Sequence, residues 1–244
     1  MKRAFLFKFT LLIVVLLGCY SCSNNDDEYS AFGTITSSTS SKMTLACDDG
    51  KLIELYADGG LSAVNIGYRA YVIYTLYDDG TTNIGDDFVK GDVVDVAYYK
   101  TQTPNYSYGE TSDELFDKYG TNEIDITSVV YGGGFLHFVF TFGYEDPYEL
   151  RSTTLVVDME NSTDTDVYAY FYYLAADAED DSYSFSYETQ SFICVDVTEF
   201  VTDPSITVSF HIITEETSGS TTTQNEITVS SDNVPTIDDI FENF

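Results

Sequence analysis

Gly, Asp, Asn and Pro interrupt this chain at short intervals, and between the interruptions apolar and polar residues alternate with period two. Alternation of this kind marks half-buried strands, because successive side chains point to opposite faces of a sheet, and no stretch carries helical spacing long enough for a core helix. Five such stretches come first. Tyr29 to Ser37 alternates around Phe32 and Ile35. Lys42 to Ala46 and Lys51 to Tyr56 flank Cys47-Asp48-Asp49-Gly50, whose Asp-Gly supplies the positive-φ residue of a tight hairpin. Ala70 to Tyr77 stops at Asp78-Asp79-Gly80, and Val93 to Lys100 sets Val94, Val96 and Tyr98 on one face. Five strands in so short a segment predict a small closed barrel of the OB type.

The pattern then breaks. Pro104, Asn105 and Gly109 interrupt it, polar residues predominate from Thr101 to Ser107, and Thr111 to Glu114 has the form of a capping box opening a short helix through Tyr119. This segment is expected to be a linker whose backbone no sheet pairs. Seven further strands follow: Ile124 to Tyr131, Phe135 to Phe142, Thr153 to Asp158, Val167 to Leu174, Ser191 to Val197, Ile206 to Ile213 and Asn225 to Val229. They predict an antiparallel β-sandwich, with Val167 to Leu174 central because both of its faces are apolar or aromatic. In the tail, Ile237, Ile240, Phe241 and Phe244 stand at near-helical spacing, fit either to cap the sandwich or to fray. The expected class is all-β: barrel over 30–103, linker with short helix over 104–121, sandwich and tail over 122–244.

Residues 1–18 read as a leader. Lys2, Arg3 and Lys8 precede an apolar run from Phe9 to Leu17 that is too short to span a bilayer as a mature helix. Leu16-Leu17-Gly18-Cys19 resembles the bacterial lipobox, which makes Cys19 the expected lipidation site. Cys22 is the alternative, favoured by the acidic stretch after it. Ser23-Asn24-Asn25-Asp26-Asp27-Glu28 looks like the export tract of surface lipoproteins in Bacteroidetes-type bacteria, and 19–29 reads as lipidated cysteine plus acidic tether. The expected address is the cell envelope, anchored to the outer membrane, with cell-surface display as the further expectation.

Charge removes two classes of partner. The chain carries −31 formally, and loss of the leader leaves 7 basic against 41 acidic residues, or −34. Nucleic acid needs clustered Lys and Arg to displace its counterions, so it is excluded as a partner. Anionic headgroups are repelled too, so membrane attachment falls to the lipid alone.

Catalytic residues are hard to find. His137 and His211 sit inside strands among apolar neighbours and read as structural. No Gly-x-Ser-x-Gly, HExxH or P-loop occurs, and 41 acidic residues make any carboxylate pair uninformative. The acidic loops Asp78-Asp79, Asp86-Asp87, Asp158 to Asp166 and Asp177 to Asp181 lack the EF-hand spacing and read as solvated turns. No metal or cofactor is expected. Cys47 and Cys194, one on each side of the linker, are expected to be free thiols. The aromatics left over are Tyr106 and Tyr108 in the linker and Tyr183, Phe185 and Tyr187 on one face of a short alternating stretch, either strand packing or a platform for sugar rings.

Four stretches give the chain a family likeness. They are Gly67-Tyr68-Arg69-Ala70-Tyr71-Val72 with the strand after it, Val93 to Lys100, Gly120 to Ile124 with Val129 to Phe140, and Phe192-Ile193-Cys194-Val195-Asp196-Val197. Together they resemble the NigD-like family of Bacteroidetes lipoproteins, which pair an OB-type barrel with a β-sandwich. The family's frequent Arg-His pair in a middle sandwich strand is absent, Val167 to Tyr173 being aromatic there. The resemblance implies fold and address, and through the family's association with a bacteriocin locus an antagonism or immunity role. It implies no reaction. The expectation is therefore a non-enzymatic envelope protein that binds a macromolecule, with a polysaccharide-binding lipoprotein as the alternative.

Overall fold

The computed structural model describes residues 28–57, 61, 66–77, 82–121, 124–144, 151–175, 187–218 and 221–232. The leader, Cys19, Cys22, Tyr183, Phe185 and the tail lie outside the described residues.

Strands β1 (Glu28–Ser38), β2 (Lys42–Cys47), β3 (Leu52–Tyr56), β4 (Arg69–Leu76) and β5 (Phe88–Tyr99) close a barrel in the order β1-β2-β3-β5-β4, with β4 returning to β1. The β3–β5 pair is parallel and the other four pairs are antiparallel. Alternate residues turn inward, among them Ile35, Met43, Leu45, Ile53, Leu55, Val72 and Val89, and fill the barrel without a pore. Strands approach closely in so small a barrel. A Cβ on Gly91 would lie 2.4 Å from the Tyr74 ring, and one on Gly33 would lie 2.3 Å from the Ala46 carbonyl oxygen. Gly50 has the positive φ of 87° that the hairpin was expected to need.

From β5 the chain enters the sandwich after a single residue, Lys100. Strand β6 (Thr101–Gln102) pairs with β12 (Tyr187–Asp196), and β7 (Asn105–Ser107) pairs with β10 (Arg151–Asp158). The expectation of unpaired backbone therefore fails at these five residues. Strands of two and three residues are too short to show alternation, and Pro104 merely marks where the chain changes sheets. The remaining strands are β8 (Asp125–Gly132), β9 (Phe135–Tyr144), β11 (Asp166–Ala175), β13 (Ser209–Ser218) and β14 (Thr221–Ser230). They complete a five-stranded sheet, β14-β13-β11-β10-β7, and a four-stranded sheet, β6-β12-β9-β8.

The all-β class, a small barrel followed by a sandwich, is thus what the chain adopts. One correction applies: the sandwich is mixed, since β7–β10, β6–β12 and β11–β13 are parallel. A parallel neighbour requires the chain to cross over between strands, and β12 makes that crossing in the opposite sheet between β11 and β13.

Between the sheets lies a core of Leu136, Phe138, Phe140, Leu155, Phe171 and Phe210 with their neighbours. Phe138 stacks on Phe171 at 4.7 Å between centroids, and Phe140 meets the same ring edge-on at 5.1 Å. Strand β11 is third of five, as its two apolar faces predicted, with Val167, Ala169, Phe171 and Tyr173 turned into this core. Helix α1 (Ser112–Tyr119) covers its other face through Leu115, which packs with Val156 and Tyr172.

The capping box is present. Thr111 Oγ1 accepts from Glu114 N at 3.3 Å, and the Glu114 carboxylate accepts from Thr111 N at 2.8 Å. Replacing Thr111 with alanine should cost about 1 kcal/mol in a denaturant melt, the usual value of a lost N-cap. A melt unchanged by the substitution would show that α1 is held by Leu115 alone.

Candidate functional site

Two places concentrate polar and aromatic groups. The first is the joint where the barrel sits on the outer face of the four-stranded sheet, with Phe32, Tyr71 and Tyr99 against Val130, Phe192 and Cys194. Arg69, at the start of β4, is fully buried there. Its guanidinium donates to Thr34 Oγ1 at 2.8 Å and to the Asp48 carboxylate, and lies between the rings of Phe32 at 4.4 Å and Phe135 at 4.7 Å. Phe135 belongs to the sandwich, whereas Asp48 and Thr34 belong to the barrel, so a side chain ion-paired within the barrel reaches across the joint by cation–π contact. Gly133, at φ 59°, makes room: a Cβ there would lie 2.2 Å from Asp48 Oδ1. Burial raises the Asp48 pKa above the ordinary carboxylate value in spite of the neighbouring Arg69.

The cysteines and the first histidine belong to the same neighbourhood. Both thiols are free, and burial pushes each up to about 12, so neither is a nucleophile at neutral pH. His137 is buried among Phe32 (5.1 Å), Phe192 (6.1 Å) and Phe135 (6.4 Å). Neither ring nitrogen makes a hydrogen bond of normal geometry, the backbone of Val130 being the polar group that approaches it. Burial and, after it, the Arg69 charge hold its pKa well below 6.5, so the ring is neutral and walled off from any substrate.

That burial sets a pH dependence. Below pH 6.5 the unfolded chain takes a proton on His137 that the folded chain refuses, so the stability contribution is complete above 6.5 and is lost as pH falls. The limiting slope is about 1.4 kcal/mol per pH unit. Asp48, with its raised pKa, acts in the opposite sense. Urea melts should therefore show His137→Leu losing less stability than the parent chain between about pH 6.5 and pH 5, by up to that slope. Parallel pH profiles for the two proteins would sink the assignment.

His211 lies on the outer face of the five-stranded sheet, stacked on Tyr168 at 4.5 Å, with Nδ1 2.7 Å from Glu226 and Nε2 3.4 Å from Asp166. These contacts tie strands β11, β13 and β14 together, and Thr228 Oγ1 lies 3.4 Å from the same Nδ1.

The second place is a cleft of about 310 Å³ between the β10–β11 connection and the segment after β12. Met159, Phe200, Ile206 and Val208 provide apolar walls, and Asp164, Glu199 and Asp203 the acid. Tyr106, on β7, donates its hydroxyl to Glu199 while its ring packs half-buried on the sandwich core. Asp203 accepts from the Ser205 amide at 2.9 Å and hydroxyl at 2.7 Å, which hold its carboxyl below the usual range. Among the described residues the lining contains no Lys, Arg or His.

Of the aromatic candidates, Tyr106 is thus a packed residue, Tyr108 is 72% exposed, and Tyr187 lies on β12. Tyr183 and Phe185 fall outside the described residues. The cleft itself escaped the sequence because its walls come from loops some forty residues apart, where no period operates. Among the described residues, no group of three or more His, Cys, Asp or Glu is placed to hold a metal.

No family model matches the chain, and no curated protein matches it. Solved structures do. A protein of unknown function from Bacteroides vulgatus aligns with a TM-score of 0.60 and 12% identity, over 82% of this chain and 90% of that one. A NigD-like immunity protein from Bacteroides caccae aligns at 0.55 and 16% identity, over 83% and 94%. A protein described as a lipoprotein, from Bacteroides fragilis, aligns at 0.55 and 12% identity, over 86% and 100%. At these identities the likeness is one of fold, and it is the fold that the sequence resemblance implied.

Proposed function

We propose that this chain is a non-enzymatic lipoprotein of the cell envelope, lipidated at Cys19 and held at the outer membrane with its β-domains displayed, and that it binds a macromolecular partner. The observation that carries the reading is the cleft, a recess with apolar walls and a rim of carboxylates. The names borne by proteins of the same fold, an immunity protein and a lipoprotein, support binding at an envelope, and an immunity role is one version of it. Pull-down with the full chain from detergent-solubilised native envelopes should retain the same macromolecule in repeated preparations. Retention of none would count against the reading.

A second reading, polysaccharide binding, has one observation in its favour: Tyr108 is 72% exposed, two residues from the Tyr106 that meets Glu199. An open ring of this kind suits a sugar face. Affinity electrophoresis through envelope polysaccharide should then show retardation that Tyr108→Ala removes, and migration indifferent to both polysaccharide and substitution would dismiss it.

A further inference from the structure

We propose that the cleft between β10–β11 and the Glu199–Val208 segment receives a basic, amphipathic segment of a partner protein, a Lys or Arg side chain lying along the apolar walls with its charge among the rim carboxylates. This rests on the partner-binding reading and names the partner's chemistry.

The walls and the rim ask for different things. Ile206 is 46% exposed and Met159 37%, so apolar surface stands open to water beside the half-buried Phe200. Asp164, Glu199 and Asp203 border it, with no cation among the described lining residues. A long basic side chain answers both, since its methylene stem covers apolar surface while its head group reaches carboxylates. An apolar segment alone would leave three carboxylates facing it, and a simple cation would leave the walls wet. The recess is at the small end for ligand sites, which suits one or two inserted side chains better than a large rigid ligand. The overall charge of −31 also draws a basic partner toward every face of the protein and speeds encounter.

The rival occupant is the chain's own tail. It leaves β14 beside the cleft, where Ser231 N donates to Val208 O at 2.8 Å, and it carries Ile237, Ile240, Phe241 and Phe244. It also carries Asp238, Asp239 and Glu242, which the rim carboxylates would repel. Charge favours a foreign basic segment.

The test uses the full chain in zwitterionic nanodiscs and a short fluorescein-labelled peptide alternating Lys and Leu, with a Glu and Leu peptide beside it. Anisotropy should show binding of the basic peptide that Asp164→Asn, Glu199→Gln and Asp203→Asn together weaken about tenfold, as the loss of three exposed charge contacts predicts. Asp113→Asn, Asp117→Asn and Asp125→Asn, the same charge change on exposed positions of α1 and β8, should leave binding within about twofold. If the first triple variant melts early, Ile206→Lys replaces it, placing a cation on an exposed wall position, and should weaken binding likewise. Equal loss in both triple variants would reduce the effect to bulk charge and overturn the proposal. So would full binding by the cleft variants, equal binding of the acidic peptide, or a tenfold gain on truncation after Asp232, which would make the tail the native occupant. An envelope partner captured equally well by the cleft triple variant would overturn this inference and leave the partner-binding reading intact.

Discussion

Arg69→Ala is expected to remove about 3–5 kcal/mol of stability, the range for breaking a buried ion pair from one side. The loss is large because of what is left behind. Asp48, only 7% exposed, would keep its carboxyl in the joint with no counter-charge, and its Oδ1 already lacks a hydrogen-bond partner. Phe32 and Phe135 would at the same time lose the guanidinium between them, and with it the contact that fastens barrel to sandwich. Guanidinium chloride unfolding followed by circular dichroism measures the cost. The companion double variant, Arg69→Met with Asp48→Asn, should recover most of it, because an apolar replacement of a buried pair is often neutral. A loss under about 1 kcal/mol for Arg69→Ala would mean that water or movement at the joint relieves the charge, and that the guanidinium is not the fastening described.

Cys19→Ala is expected to abolish lipid labelling and release the protein from the membrane fraction, with Cys22→Ala leaving both intact. The expected loss is complete because the acyl chains are what would hold the protein at the bilayer. No helix among the described residues is long and apolar enough to cross a membrane, and the excess of 41 acidic over 10 basic residues opposes adsorption to anionic headgroups. Each buried methylene of an acyl chain contributes about 0.8 kcal/mol, so the lipid outweighs any contribution of the protein surface. Labelled palmitate with carbonate extraction of membranes reports both effects. Labelling that survives in Cys19→Ala and disappears in Cys22→Ala would move the anchor three residues on.

Most of the fold could be read from the sequence because it is written in local signals. Period-two alternation found the long strands, Asp-Gly found the Cys47 to Gly50 hairpin, and Thr111 with Glu114 found the helix cap. Strand β5 begins five residues before the expected Val93, since Gly91 and Asp92 break its alternation where the barrel wall must admit the Tyr74 ring. The parallel pairs were out of reach: strand order is set by packing between sheets, and β11 and β13 carry the same alternation whichever way they run. Arg69 stood out only as part of a family motif, because a single Arg in a strand gives no sign of whether it is buried. Asp48 reads as a turn residue, and its second role depends on Arg69, 21 positions away. The cleft was least legible of all. Asp158 to Asp166 stands out as acid, but most of the apolar wall comes from Phe200 to Val208, with Met159 the one apolar contribution from the acidic stretch.

The margins of the two sandwich sheets bear on how such a protein survives at high local density. A row of unpaired amides along a sheet margin is a template for another chain, and long flat margins invite aggregation. Here β6 offers two residues and β7 three, at one side of each sheet. On the opposite sides, β8 begins at Asp125 and is broken by a bulge between Ile126 and Ser128, and β14 presents the carboxylate of Glu226. The bulge and the exposed Glu226 interrupt the β8 and β14 margins, so a foreign strand meets a break or a carboxylate before it has paired along the whole of either.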